Sequence, residues 1–232
     1  MPYRRLPNTD QARTRAMKAA LNAGSTSNPS SMAFSQKLLL EVKAFYPHFE
    51  QTINQYNYNR DRQSKIGQQL ADYYKAARLY VSHFFQVVNF CILRGELKSE
   101  IREFYGINES DKAIPEIGTE QQLIIWGEKL LKGEEARMAT GATRIYNPSL
   151  PMVRVKYEKF IELHNTHKDL LNTSQKLLEK VNNYRSQADR IILDVWNEVE
   201  KNFESLPAEN KRKKGTEYGL VYVYRPNEKI QL

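Results

Sequence analysis

The chain has 232 residues, 41% of them hydrophobic and 27% charged, with a net charge of +8. That is long enough to bury a real core, and a mean hydropathy of −0.67 leaves much of the surface wet, which suits extended helices better than a sphere. The one cysteine, Cys91, excludes an intrachain disulfide and points to a reducing compartment, while scarce glycine (10) and proline (9) favour helix.

The N-terminus, Met1-Pro2-Tyr3-Arg4-Arg5, is basic, but no apolar signal-peptide core follows it. Pro2 and Pro7 bracket an extended lead-in. Asn8 or Thr9 then caps a helix, with Asp10 in its first turn where the dipole favours an acid. Ala12, Ala16, Ala19 and Ala20, with Met17 and Leu21, give that helix a small-residue face suited to close packing, and Gly24 is its expected stop. A Ser-rich loop containing Asn28-Pro29-Ser30 follows.

Residues 34–94 carry an unbroken 3,4 alternation: Leu38, Val42, Phe45, Phe49, Thr52, Tyr56, Asn59, Gln63, Ile66, Leu70, Tyr73, Ala77, Tyr80, Phe84, Val87, Cys91. A period of 3.5 held this long predicts one long helix. A second line (Leu39, Tyr46, Ile53, Gly67, Tyr74, Val81, Val88) widens the stripe to the width of a multi-helix bundle. Pro47 should kink the helix. Its centre, Asn54 to Gln63, is polar enough for a break into a hairpin, but a turn would have no reason to keep the heptad phase, so continuity is preferred. Leu79 to Leu93 is the longest apolar run. Ser82, His83, Gln86 and Asn89 interrupt it, so no membrane span is expected.

A short helical turn from Leu97 to Tyr105 ends at Gly106. After a loop, Thr119 and Gln122 form a capping box that opens a helix ending at Gly141. Asn147-Pro148-Ser149 leads into a second periodic stretch with Phe160, His164, His167, Leu171, Ser174, Leu178, Val181, Arg185, Ala188, Ile192, Val195 and Val199 on its seam. Leu163, Leu170, Leu177, Tyr184 and Ile191 flank it, and Pro207 marks its end. The order short helix, Asn-Pro-Ser, long helix thus occurs twice. Phe104-Tyr105-Gly106-Ile107 and Glu217-Tyr218-Gly219-Leu220 close the two copies. The sequence therefore reads as a single all-α domain spanning 1–232, an elongated helical bundle built from a duplicated αα-hairpin. The pseudo-repeats are 8–106 and 119–219. Tyr218, Leu220, Tyr222 and Tyr224 alternate with period two, predicting a small β-hairpin or strand within 216–232. It must dock on the bundle, pair with residues 2–6, or pair with another chain.

Charge is concentrated at the ends. Residues 1–33 sum to +4 and residues 211–232 to +4, leaving the body neutral. Arg4, Arg5, Arg13 and Arg15, with Lys211, Arg212, Lys213 and Lys214, are the candidate residues for nucleic acid or an acidic partner. Tyr3, Tyr218, Tyr222 and Tyr224 are available for stacking. No helix-turn-helix, RRM or finger motif accompanies them.

No catalytic set is visible. Cys91 lies on the apolar seam, with no base beside it in the sequence. His164 and His167, spaced i, i+3, are the only close histidine pair, yet no histidine has a glutamate three residues before it, as a di-iron bundle requires. The segment from Gly127 to Gly133 lacks phosphate-loop spacing and sits inside a helix pattern. Glu41, Glu162 and Asp189 read as members of solvated, charge-paired faces. No cofactor, metal or small-molecule substrate is expected.

The opening Pro2-Tyr3-Arg4-Arg5-Leu6-Pro7-Asn8-Thr9-Asp10, with its Ala-rich helix, resembles the N-terminal segment of a family of bacterial helical proteins with no assigned activity. The resemblance covers about the first 20 residues. It implies a bacterial cytoplasmic protein and brings no site residue. The leading expectation is a non-enzymatic helical interaction or structural protein with a protein partner or self-association. Nucleic-acid binding through the basic ends is the alternative, and a helical-bundle metal enzyme the second alternative.

Overall fold

Order in this chain begins at its ends, where Tyr3 pairs with Val223 and Arg4 with Tyr222 in a two-stranded antiparallel sheet. The structure, a computed structural model, describes residues 2–26 and 32–224. The chain is all-α, 76% helical, with six helices among the described residues and that one small sheet. In chain order the elements are β1 (Tyr3–Arg4), α1 (Asp10–Thr26), α2 (Gln36–Leu93), a 3-10 helix (Ser99–Tyr105), α3 (Glu120–Ala139), α4 (Leu150–Asn202), α5 (Ala208–Glu217) and β2 (Tyr222–Val223). The first Asn-Pro-Ser loop at 28–30, the turn expected at Arg225-Pro226-Asn227-Glu228 and the return strand expected at 229–232 lie outside the described residues.

Two compact units are present, residues 1–59 with 173–232, and residues 60–172. The long helices α2 and α4 each contribute to both. In the first unit the core gathers Met17 and Ala20 of α1, Val42, Phe49 and Ile53 of α2, and Ile191, Val195, Trp196 and Val199 of α4, closed by Tyr218 and Leu220. In the second, Ala77, Val81, Phe84 and Val88 of α2 meet Leu123 and Leu130 of α3, Val153 and Phe160 of α4, and Tyr105. Burying such stripes, rather than helix propensity, supplies most of the stability of helices in a folded chain.

α2 is continuous through the polar stretch 54–63 and accommodates Pro47 within its length. Every position of its 3,4 seam is buried or half-buried. The buried Asn59 donates to the Ser174 hydroxyl at 2.6 Å, so a polar seam position is satisfied within its own unit. α4 is also continuous, but its seam differs from the expected one in its middle. Leu171 and Leu178 are exposed, while Leu170 is buried and Leu177 half-buried. A straight helix has 3.6 residues per turn, so a strict seven-residue repeat drifts off the buried face, and here the neighbouring line takes over.

Several local expectations are met and others corrected. The Thr9 hydroxyl accepts from the Ala12 N–H, capping α1. Thr119 and Gln122 form the complete capping box of α3. Gly95, Gly106 and Gly141 all take positive φ at helix ends, where glycine alone escapes the Cβ clash. Gly24 does not stop α1, which continues to Thr26. A Cβ there would lie 2.6 Å from Leu39 Cδ1, so the glycine serves close packing. The run Lys211 to Lys214 is part of α5. Among the described residues the C-terminal strand spans Tyr222–Val223, and it pairs with the N-terminus.

Candidate functional site: the joined basic ends and the groove beside α1

The β1–β2 pairing, extended by an Arg5 N–H to Val221 carbonyl bond of 2.8 Å, brings both basic ends into one unit. α1 also packs against α5. The turn after α5 sits close enough that a Cβ on Gly219 (φ +85°) would lie 3.0–3.1 Å from Ala16 and Ala19 atoms. The small-residue face of α1 therefore accepts a tight turn.

The eight basic candidates separate into distinct roles. Arg4 Nη1 donates to Glu200 Oε2 at 3.0 Å, and its guanidinium lies 6.0 Å from the Trp196 ring centroid. The other Glu200 oxygen accepts from the Tyr222 hydroxyl at 2.9 Å. Tyr222 has its pKa pushed up, chiefly by burial and then by Glu200, with Arg4 and Arg212 opposing. Arg13 is buried and donates both Nε and Nη2 to Asp189, at 2.8 and 2.9 Å. Arg185 donates in the same forked manner to Asp10, at 2.8 and 2.7 Å. That bond to Asp10 is the main reason its pKa rises. Asp10, Arg13, Arg185 and Asp189 thus fasten α1 to α4 through paired forks. Asp189, expected on a solvated face, is one of the anchors, and Glu41 likewise reaches from α2 to Arg190 of α4 at 2.6 Å. Glu162 keeps the local pairing expected of it, with Lys159.

Arg5 and Arg15 differ. Both are exposed, and neither has an ion-pair partner among the described residues. They line a groove of about 510 Å³ with the segment 6–9, Ala12, Ala16 and Ala19 of α1, Trp196 of α4, and Gly219 and Val221. On α5, Lys213 and Lys214 are exposed, and Lys211 and Arg212 half-buried. Lys214 Nζ lies 5.5 Å from the Phe203 ring centroid.

The second unit holds a buried charge cluster that the sequence reading missed. Arg137 and Glu134 are 1% and 2% exposed. Arg137 donates Nε and Nη2 to the two Glu134 oxygens, both at 2.7 Å. Nη2 also reaches the Thr143 carbonyl at 2.8 Å, while Nη1 has no hydrogen-bond partner among the described residues. The Tyr105 hydroxyl donates to Glu134 Oε2 at 2.6 Å. The Tyr105 pKa rises, first from burial and then from Glu134, and the Arg137 pKa rises because of its bond to Glu134. A signal was present: stepping 4,3,4,3 from Leu123 along the buried face of α3 reaches Gly127, Leu130, Glu134 and Arg137.

His164 Nδ1 lies 2.9 Å from Glu120 Oε2, while His167 faces Gly67. Among the described residues, no group of three or more His, Cys, Asp and Glu side chains is placed to hold a metal. The Cys91 thiol has its pKa raised by burial first and then by Glu96, which disfavours the nucleophilic thiolate.

One further surface stands out. Leu79, His83, Gln86, Phe90 and Leu93 form a 4,3,4,3 stripe on α2 opposite its buried face, and all are exposed, Leu79, Phe90 and Leu93 by 65%, 55% and 64%. α2 is also the one helix among the described residues with an 18-residue window apolar enough to cross a membrane by length and composition, only 28% of it buried. The polar interruptions at Ser82, His83, Gln86 and Asn89 dilute the apolar run without overturning its average. No family model, curated protein or solved structure matches the chain.

Proposed function

We propose that this chain is a non-enzymatic interaction protein whose principal contact surface is the exposed stripe of α2. The observation carrying this reading is the outward placement of Leu79, Phe90 and Leu93 on one helix face. Large apolar side chains grouped on one face mark interaction surfaces more often than free surface. The stripe holds no Lys, Arg, Asp or Glu, so a like stripe meets it without charge repulsion. A second copy of the chain, packed around a two-fold axis, is the fitting occupant. The repeated order of short helix and long helix, α1–α2 and α3–α4, supports descent from a duplicated hairpin.

Light scattering across a concentration series tests the contact. Association is expected for the native chain, and the variant carrying Phe90→Lys and Leu93→Lys should be monomeric. A native chain that stays monomeric at every concentration overturns the self-association. A native chain that partitions into phospholipid vesicles through the same stripe assigns the surface to a membrane instead.

A second reading, nucleic-acid binding, rests on the β1–β2 pairing that joins the two basic ends. Internal pairing of Arg4 and Arg13 reduces the available cations to Arg5, Arg15, Lys211, Arg212, Lys213 and Lys214. The salt slope of binding should therefore be shallower than eight phosphate contacts would give.

A further inference from the structure

The geometry points to the groove beside α1 as a binding site for a small amphipathic anion, a carboxylate or phosphate head on an apolar body. Its volume, about 510 Å³, lies within the range of roughly 300–1,000 Å³ usual for ligand sites. Ala12, Ala16, Ala19 and Val221 give the groove an apolar wall, and the almost fully buried Trp196 is also among its lining residues. Such a wall favours a hydrocarbon or aromatic body.

The head group is specified by charge. Within the same unit, Arg4, Arg13 and Arg185 each hold a carboxylate at 3.0 Å or less. Arg5 and Arg15, the two arginines that line the groove, hold none among the described residues. Their charge is left uncompensated among the described residues, and two arginines lining one groove suit a carboxylate or phosphate, which a guanidinium can hold in fork geometry. The Asp10 carboxylate, which would otherwise oppose an anion at the start of α1, is engaged by Arg185 and Arg13. The groove belongs to the unit formed by 1–59 and 173–232, so this site is separate from the α2 stripe, and either can fail without the other.

The test uses the full chain with Trp126→Phe, which leaves Trp196 as the sole tryptophan reporter. Decanoate is titrated against Trp196 fluorescence, with inorganic phosphate and phosphatidylglycerol vesicles as parallel arms. Saturable decanoate binding is expected. It should weaken by about tenfold or more with Arg5→Gln and Arg15→Gln together, since each tenfold corresponds to only about 1.4 kcal/mol. Ala12→Leu, which narrows the groove at its α1 wall and leaves both arginines, should weaken it while circular dichroism is unchanged. Phosphate alone should bind far more weakly, lacking the apolar body. Decanoate binding unchanged by Ala12→Leu overturns the proposal, as does binding indifferent to the two arginines. Binding to vesicles with no response to decanoate also overturns it, because it marks a flat anionic-surface contact.

Discussion

The Glu134–Arg137 pair is held where water cannot screen it, and its energetics follow from that burial. A buried ion pair gains little net stability over apolar residues of the same size, but half of one is costly. Arg137→Met leaves the Glu134 carboxylate with only the Tyr105 hydroxyl, and Glu134→Leu strands a guanidinium that already has one unpaired nitrogen. Each single change should cost about 3–5 kcal/mol, while the double change should cost clearly less than either. Urea midpoints at unchanged slope would show this, and additive losses would refute it. Tyr105 adds a pH dependence. Its pKa is raised in the fold, as are those of Tyr46 and Tyr157, both pushed up to about 12 mainly by burial. A raised acid binds its proton more tightly when folded, so this contribution is complete below the unfolded value near about 10 and lost as pH rises above it. The tyrosine contribution should be level below about pH 10 and fall on the alkaline side, and Tyr105→Phe should flatten part of that fall. A denaturation series across alkaline pH that stays level for the native chain would contradict the assignment.

At the scale of elements, glycine inside helices gives the sharpest contrast. Gly133 of α3 lies against the 3-10 helix, where a Cβ would come 2.4 Å from the Phe104 carbonyl oxygen. Backbone cannot swing aside as a side chain can, so Gly133→Ala should destabilise by about 1–3 kcal/mol. Gly67 of α2 meets only the His167 ring, at 3.5 Å, and Gly67→Ala should instead stabilise by about 0.5–1 kcal/mol from helix propensity. Thermal melts of the two variants should move in opposite directions. The same contrast explains what could be read in the chain beforehand. The α2 seam, the Thr119 capping box and the glycine stops at 106 and 141 depend on spacing within one element, and spacing is visible in sequence. Gly24, Gly127 and Gly133 depend on what lies opposite them (Leu39, Tyr157 and Phe104), and no local pattern names a distant neighbour. Of the eight basic candidates, sequence located the two clusters. It did not separate Arg13, forked onto Asp189, from Arg15 at an open groove, because residues two apart on a helix face in different directions.

For the whole molecule, the decisive feature is that the chain forms two compact units, each with a core of its own, and that one of them is contiguous in sequence. Residues 60–172 contain all of α3, the 3-10 helix, the Glu134–Arg137 cluster and the parts of α2 and α4 that bury Val81, Phe84 and Phe160. Cutting there divides α2 within its polar stretch, between Asn59 and Arg60, and divides α4 between Asn172 and Thr173, so neither apolar cluster is split. Most helical stability in proteins comes from tertiary packing rather than propensity, which makes folding of the piece a strict test of whether its core suffices. The isolated segment 60–172 should unfold cooperatively on heating, with Trp126 fluorescence and far-ultraviolet dichroism following one transition. The complementary unit is discontinuous, and its first part, ending at residue 59, should be unfolded alone because the α4 residues Ile191, Val195 and Trp196 that close its core are missing. A non-cooperative melt for 60–172, or separate transitions for the two probes, would mean that its helices depend on the rest of the chain and that the two cores fold as one.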